Sequence, residues 1–477
     1  MNTIKTTNFK WEKIDLDKDL FKQKTSSMLI AWAIWDALWI PVEMKTKEYI
    51  QNQYWKVDDF LDSWLNIFFN KWWLAKWKTG LVSDDTILSF SWIKSIINKW
   101  NIDFDDILNT SLEDYKNFPY WFWYWTTSAL KRYELLKELY PEIDNYINLW
   151  DINSAWNWVI MKQSPYAAYF LAKETKQGVI NTNIEILTRL THNHPTAVVA
   201  SQVHNQFLME LLKSKWEINL EELLDYLINF AQQQEDKLNK EFEKQDAQKI
   251  SDLLIKLLEN KQNWGLKSFD EILEKYWWWE QKVYASGYVI TTMWIVYSIF
   301  LNKQNFEWLL DSINIGWDVD TFWAIIWNMI WAYKWEFYDK YYENWVKDIK
   351  KLKAQINDFL DTILKENPKT DITEKEYQEK LEKYKQNQEK IKQDFFKEIK
   401  NLNSKQEDIF YNSKWNPTAF KSNVKHLSYA QNLKYWKIQN WYFIVEKSFY
   451  IADFSWYIIK KTKIWEKIKF IKLEYLK

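Results

Sequence analysis

Ala31-Trp32-Ala33-Ile34-Trp35-Asp36-Ala37-Leu38-Trp39-Ile40-Pro41-Val42-Glu43 is the stretch on which the reading of this chain turns. It lies in an apolar run, Met28 to Val42, that only Asp36 interrupts. Thr25-Ser26-Ser27 precede the run, as helix caps do. The run is too short to span a bilayer. Met1 to Ser27 is polar and charged and shows no apolar signal core. The expectation is a soluble, cytoplasmic, non-membrane protein.

Working outward, most of residues 28 to about 335 reads as helix. Ser83-Asp84-Asp85-Thr86 stand before Ile87-Leu88-Ser89-Phe90, a helix start with acids in its first turn. Glu217 to Gln262 reads as two amphipathic helices, with Leu220, Leu223, Leu224 and Leu227 at helical spacing. Few strands are expected before residue 410. Tyr342 to Asp408 is dense in Lys and Glu, with an apolar stripe of Ile349, Leu352, Ile356, Phe359, Leu360 and Ile363. Pro368 breaks that stripe, and Thr373 with Glu376 forms a capping-box pattern for a second helix. Beyond Phe410, Tyr442 to Val445, Tyr457 to Lys460 and Ile468 to Leu473 read as short strands. The expected domains are 1–345, 346–408 (a charged helical hairpin) and 409–477 (a small β-rich module). The β-rich end carries no acidic pair or phosphate loop, and residues 346–477 are expected to dock, select substrate or stabilise without adding chemistry.

Composition narrows the function classes. Lys and Arg number 64 against 65 Asp and Glu, so there is no electrostatic footprint for nucleic acid. There is no Cys and there are only 4 His, which excludes disulfides and thiolate sites and disfavours zinc. The glycine count is abnormal: 35 Trp stand beside 5 Gly. Together they make up roughly 8% of the chain, close to an ordinary glycine allowance. Trp121-Phe122-Trp123-Tyr124-Trp125 and Trp277-Trp278-Trp279 read better as glycine-rich loops than as packed aromatics. Asn440-Trp441, ahead of Tyr442 to Val445, becomes an Asn-Gly hairpin turn. Trp323, Trp327, Trp331 and Trp335 form a stripe that small residues would turn into a close helix contact. The reading is that most of these Trp are UGA codons decoded as glycine by the host, an alternative genetic code. Genuine Trp would instead suggest a carbohydrate-binding surface of stacked indoles.

Two acidic clusters could carry chemistry: Ser83-Asp84-Asp85-Thr86 and Gly316-Trp317-Asp318-Val319-Asp320-Thr321. Each combines paired carboxylates with a hydroxyl at a helix start, the all-oxygen set that hard divalent cations take. Four Asp would balance two divalent ions. Either cluster alone is more often a helix cap.

With Trp read as Gly, residues 31–43 become AGAIGDALGIPVE, which resembles the opening motif of the ADP-ribosylglycohydrolases. Residues 83–86 resemble that family's TDDT motif, Ala155-Trp156-Asn157-Trp158-Val159-Ile160-Met161-Lys162 its GNG…MR segment, Thr191-His192-Asn193-His194-Pro195 its TH-x-HP motif, and Gly316 to Thr321 its GGDADT motif. The resemblance covers about residues 28–336. It implies an all-α orthogonal helical bundle as the catalytic domain, followed by the helical hairpin and the β-rich module. It implies Mg-dependent hydrolysis of the bond between ADP-ribose and a protein, nucleic-acid or small-molecule acceptor. It further implies two Mg2+ ions, with Mn2+ as the alternative, held by Ser83, Asp84, Asp85, Asp318, Asp320 and Thr321. Glu43 would be the acid/base residue on a mobile loop; Asn157 and His192 would seat the ADP-ribose. A catalytically silent ADP-ribose-binding relative is the alternative. Two positions depart from the family: Ser83 stands for Thr and keeps the oxygen, whereas Lys162 stands for Arg and loses the planar fork.

Overall fold

The computed structural model describes residues 3–43, 45–55, 57, 59–61, 63–67, 73–77, 80–117, 122, 126, 129–130, 133–134, 137, 155–215, 218–264, 287–302, 318–334, 340–365, 379, 386 and five C-terminal strands. The chain divides into two compact units. The first comprises Met1–Trp123, Ala155–Thr188 and Pro195–Asp371; the second comprises Tyr124–Ser154, Arg189–His194 and Ile372–Lys477.

The first unit is helical, as expected. It opens with an antiparallel ribbon, β1 (Thr3–Thr7) with β2 (Lys13–Asp17). Then come α1 (Lys18–Trp39), a 3-10 turn at Ile40–Val42, α2 (Lys47–Tyr54) and a second ribbon, β3 (Ser63–Ile67) with β4 (Trp73–Trp77). Next are α3 (Asp84–Lys99), α4 (Phe104–Asn117), α5 (Trp158–Met161), α6 (Gln163–Ala172) and α7 (Gln177–Arg189). The buried helix α8 (Pro195–Lys213) is followed by α9 (Leu220–Lys237), α10 (Asn239–Gln245) and α11 (Ile250–Trp264). The unit is completed by α12 (Val289–Asn302), α13 (Val319–Tyr333), α14 (Lys340–Trp345) and α15 (Ile349–Leu364).

Helices α1 and α13 form the most extensively packed pair and lie at the centre of the core. Helix α1 starts earlier than the Thr25-Ser26-Ser27 cap suggested. Asp17 is the cap, its Oδ1 accepting from the Asp19 and Leu20 N–H groups at 2.9 Å each. The three hydroxyl residues instead lie inside the helix, where an earlier side chain has already satisfied the free N–H groups. The helix over Lys18–Val42 is long and apolar enough to cross a membrane, but 89% of its apolar window is buried within the protein, which fits a core helix.

The two ribbons were not foreseen. In the first, only Ile4 and Leu16 are buried, and they face each other across the pair. One apolar pair among Lys, Thr and Asp leaves no alternating pattern to read.

Helix α15 belongs to the first unit, so the boundary expected after residue 345 falls inside it. Its stripe of Ile356, Phe359, Leu360 and Ile363 is buried, and the helix packs on α3 and α1. Gln355 Nε2 donates to the Phe90 carbonyl at 2.9 Å. Lys347 N–H donates to the Gly80 carbonyl at 2.7 Å. Gly80 has φ +80°, and a Cβ there would lie 1.8 Å from the Trp345 carbonyl oxygen, so the approach demands glycine. A cavity of about 390 Å³ lies between α3 and α15, lined by residues that include Ile87, Phe90, Leu352 and Gln355. The second helix of the expected hairpin lies outside the described residues.

In the second unit, β5 (Asp408–Phe410), β6 (Trp441–Val445), β7 (Ser448–Ala452), β8 (Tyr457–Lys461) and β9 (Ile468–Lys472) form an antiparallel sheet in that order. These strands fall in the stretch expected to be β-rich, within a unit that also includes Tyr124–Ser154 and Arg189–His194. Trp441 opens β6 opposite Ala452, and the segment before it lies outside the described residues.

Ending the chain at Trp345 should therefore abolish a cooperative unfolding transition of the first unit, whereas ending it at Asp371 should preserve one. Phe359→Ala should cost about 3–5 kcal/mol, as for truncation of a buried Phe. Urea unfolding followed by circular dichroism measures both; an unchanged midpoint for either change would contradict this packing.

Candidate metal and active site

The candidate site grows from the first turn of α3. Ser83 caps that helix, its Oγ accepting from Asp85 N–H at 3.1 Å. That is the ordinary role of a hydroxyl at a helix start. A second acceptor is less ordinary. Asp36, from the last turn of α1, turns Oδ2 onto Ser83 N–H (2.9 Å), Thr86 N–H (3.2 Å) and Thr86 Oγ (2.5 Å). A buried carboxylate thus holds the N-terminus of α3 and sets where Asp84 and Asp85 stand. Its Oδ1 is buried with no hydrogen-bond partner among the described residues. Burial pushes the Asp36 carboxyl up to about 6, opposed by the hydrogen bonds from Thr86 and Ser83. Sequence reading passed over Asp36, noticing it only as an interruption. A charged residue inside an otherwise apolar buried helix was the signal.

The second acidic cluster joins the first through the fold. Thr321 Oγ, in the first turn of α13, donates to Asp85 Oδ2 at 2.8 Å across 236 residues of chain. Asp85 and Asp320 are buried, and both are held well above the usual carboxylate range. Desolvation is the main cause for each; for Asp85 the next are Asp84, Asp36 and Asp318, and for Asp320 they are Glu43, Asp85 and Asp318. Asp320 Oδ1 is buried without a hydrogen-bond partner among the described residues. Asp318 caps α13 and accepts from Asn157 Nδ2 at 2.6 Å. Asn157 is fully buried, and its N–H donates to the Gly287 carbonyl at 2.7 Å. Residues 303–317, which carry Gly316 and Trp317, lie outside the described residues.

Glu43 ends the 3-10 turn that follows α1; its N–H donates to the Trp39 carbonyl at 3.1 Å, and it is buried. Pro41, the second residue of the turn, has no N–H with which to continue α1. Lys162, the substitute for Arg, is also buried here. Desolvation lowers its ammonium to about 8 against the pull of Asp84 and Asp85, and it lies 4.9 Å over the Trp92 ring.

The structure therefore brings together Glu43, Ser83, Asp84, Asp85, Asn157, Asp318, Asp320 and Thr321, and adds Asp36 and Lys162. His192 lies in the second unit. It is buried, with Nδ1 2.8 Å from Thr191 Oγ.

The donor set suits a hard divalent cation: it is all oxygen, buried, mutually repelling and contains orphaned carboxylate oxygens. Among the described residues no three acidic or imidazole groups are already spaced to hold one ion. Two of the oxygens are engaged by Thr321 and Asn157 instead.

A family model described as ADP-ribosylglycohydrolase matches residues 17–330, a span that contains every residue of this site. Among solved structures, a chain of an "ADP-ribosylglycohydrolase-related protein complex" is similar: it is 18% identical with a TM-score of 0.45, over 72% of this chain and 99% of that one. No curated protein matches.

The raised carboxylates make stability depend on pH. Between the ordinary Asp range and the raised values of about 6 for Asp36 and about 7 for Asp318, the folded chain binds more protons than the unfolded one. The contribution of these carboxyls to stability falls as pH rises through that window, and the lowered His194 and His204 imidazoles oppose it only in part where Asp85 and Asp320 titrate as well. Thermal unfolding in chelator should show a higher Tm at pH 5.5 than at pH 8, and Mg2+ should recover the loss at pH 8. A Tm that climbs with pH in chelator would refute the buried cluster. Asp36→Ala, which strands the Ser83 and Thr86 donors, should cost on the order of 1–3 kcal/mol for each group left unpaired. Urea unfolding at pH 8 measures that cost, and an unchanged midpoint would remove Asp36 from its anchoring role.

Proposed function

The chain belongs to the ADP-ribosylglycohydrolase family, and from that premise we propose that it hydrolyses the glycosidic bond joining ADP-ribose to an acceptor, reversing ADP-ribosylation, with a dinuclear Mg2+ centre. The observation that carries this reading is the meeting of two acidic helix starts, linked at Thr321 and Asp85, in one buried place. A fold has little reason to bury so many carboxylates together unless a cation offsets them.

Ser83, Asp84, Asp85, Asp318, Asp320 and Thr321 would hold the ions. When bound, the ions supply positive charge that orients the ribose diol and lowers the pKa of a water beside the anomeric carbon. The chain's own residues do the rest. Asp36 holds the first turn of α3, so that Asp84 and Asp85 keep their positions as charge changes. Asn157 orients Asp318 through its amide. Lys162 offsets part of the charge of Asp84 and Asp85, and its compact ammonium does this without a bidentate clamp.

Glu43 is the acid/base residue. Departure of the acceptor builds positive charge on the ribose ring, as in other glycoside hydrolyses. A carboxylate at Glu43 can stabilise that charge and exchange the proton between water and leaving group. Glu43 is near enough to Asp320 to help raise that carboxyl, so the acid/base residue and the proposed metal ligands share one electrostatic environment. The substrate class is an ADP-ribosylated protein, nucleic acid or small molecule.

Two variants and a chelator test this. Glu43→Gln should lower kcat by about 10²–10⁴, the usual range for a lost acid/base group, while leaving Mg2+ affinity nearly unchanged. Asp318→Asn should weaken Mg2+ binding and lower activity together. Release of ADP-ribose from a panel of modified substrates, with calorimetric Mg2+ titration, reads both. Equal loss of metal in the two variants would remove the division of roles. Chelator-resistant hydrolysis would exclude the metal centre, and binding of ADP-ribose without turnover would mark a silent relative.

A further inference from the structure

The backbone and the core disagree with tryptophan at particular positions, and each disagreement has the same remedy. Among the described residues, six other than glycine take positive φ, and three of them are Trp: Trp11 (φ 64°), Trp55 (φ 62°) and Trp100 (φ 60°). Trp makes up only 35 of 477 residues, so half of such sites is a large excess. The other three are Glu174, Asp246 and Asp348, two of them Asp, whose short polar side chain tolerates this region. A large aromatic has no such compensation.

Local geometry sharpens the point. Trp11 N–H closes a turn on the Asn8 carbonyl at 2.9 Å, and Asn8 N–H returns to Glu12 at 3.0 Å. That is the place in the β1–β2 hairpin where a left-handed glycine makes the bulge. Trp100 ends α3 with φ 60° and ψ 9°, its N–H on the Ile96 carbonyl, where helices most often use glycine. Trp55 ends α2 with φ 62° and ψ −58°, near the strained γ-turn that only glycine adopts without cost. Trp11 and Trp55 are 80% and 85% exposed, so packing of the indole offsets none of the strain.

The core gives an independent set. Trp32 and Trp39 on α1 and Trp323 on α13 are fully buried, and the indole N–H of each lacks an acceptor among the described residues. Buried Trp usually pairs that group, and leaving it unpaired costs free energy. These residues lie on the two central helices, beside Trp35 and Trp327, which stack at 4.2 Å. Hydrogen in place of indole would let the helices meet backbone to backbone.

One more position touches the site. A Cβ placed on Gly287 would be 2.4 Å from Trp156 Cε3 and 3.4 Å from Asp318 Oδ2. The Trp156 ring therefore lies against Gly287 beside Asp318, immediately before Asn157 in the chain.

We infer that the polypeptide made in the cell carries glycine at Trp11, Trp32, Trp39, Trp55, Trp100, Trp156 and Trp323, through UGA codons read as glycine, and that loss of the Trp156 indole opens the approach to Asp318. The strained turns become ordinary, the orphaned N–H groups vanish and the carboxylates gain an entrance. The assignment of residues does not depend on the proposed reaction; only the entrance at Trp156 rests on it.

Peptide mass spectrometry of the protein purified from its own host, with the gene's codons, reads each position separately. Glycine from UGA at the seven positions is the expected result, with an intact mass on the order of 4 kDa below 58.7 kDa if most of the other Trp convert too. Tryptophan from UGG at any of the seven overturns that assignment. For the entrance, the chain with Trp at 156 is compared with its Trp156→Gly variant by calorimetric titration with ADP-ribose in Mg2+. Affinity should rise by on the order of tenfold in the variant. Equal affinities overturn the entrance and leave the mass result standing by itself.

Discussion

The rest of the first unit depends on a crowd of buried carboxylates. Asp36, Glu43, Asp84, Asp85 and Asp320 are buried together, with Asp318 beside them. Ionised carboxylates in a low-dielectric interior repel one another and lose their hydration, and either effect alone would favour dispersing them. The fold keeps them together by spending hydrogen-bond donors on them. Ser83 and Thr86 donate to Asp36, Thr321 to Asp85 and Asn157 to Asp318. Each donor sits at or near the start of a helix or of a short turn, where backbone N–H groups lack intrahelical partners.

That constraint explains the arrangement of helices around it. Helix α1 contributes Asp36 from its last turn and Glu43 just past its end; α3 and α13 point their first turns at the same place. The positive ends of two helix dipoles therefore face the carboxylates. Helices α1 and α13 pack closely enough to bring those ends together, and α15 braces the opposite side of α3. A segment outside the span of the family match thus supports a helix that carries two of the site's acids.

The cation would act on this frame as a stabiliser as well as a reagent. With the carboxylates held above their usual range, the chain carries an electrostatic cost that a bound cation would relieve. Asp36 is distinct within the group. Its Oδ2 is spent on backbone and hydroxyl donors at the start of α3, so that oxygen serves position before chemistry.

Sequence alone determined the local chemistry of this protein. Paired acids beside hydroxyls, an apolar helix broken by one Asp, short β-branched and aromatic runs after residue 410 and a glycine count too low for the turns were all legible. Each is a property of neighbouring residues. Period and capping show where α3 begins and why α9 and α11 are amphipathic. The ribbon at Thr3–Asp17 was illegible because its only buried pair, Ile4 and Leu16, is formed by pairing rather than by pattern. The cap at Asp17 was missed because Thr25-Ser26-Ser27 offered the same chemistry eight residues later. Only tertiary structure decided that Asp36 is an anchor, that Lys162 stands beside Asp84 and Asp85, that α15 belongs to the first unit, and that Asp85 meets Thr321 across 236 residues. Those facts depend on which helix faces pack against one another, a long-range property set by burial and close approach that leaves no period in the chain.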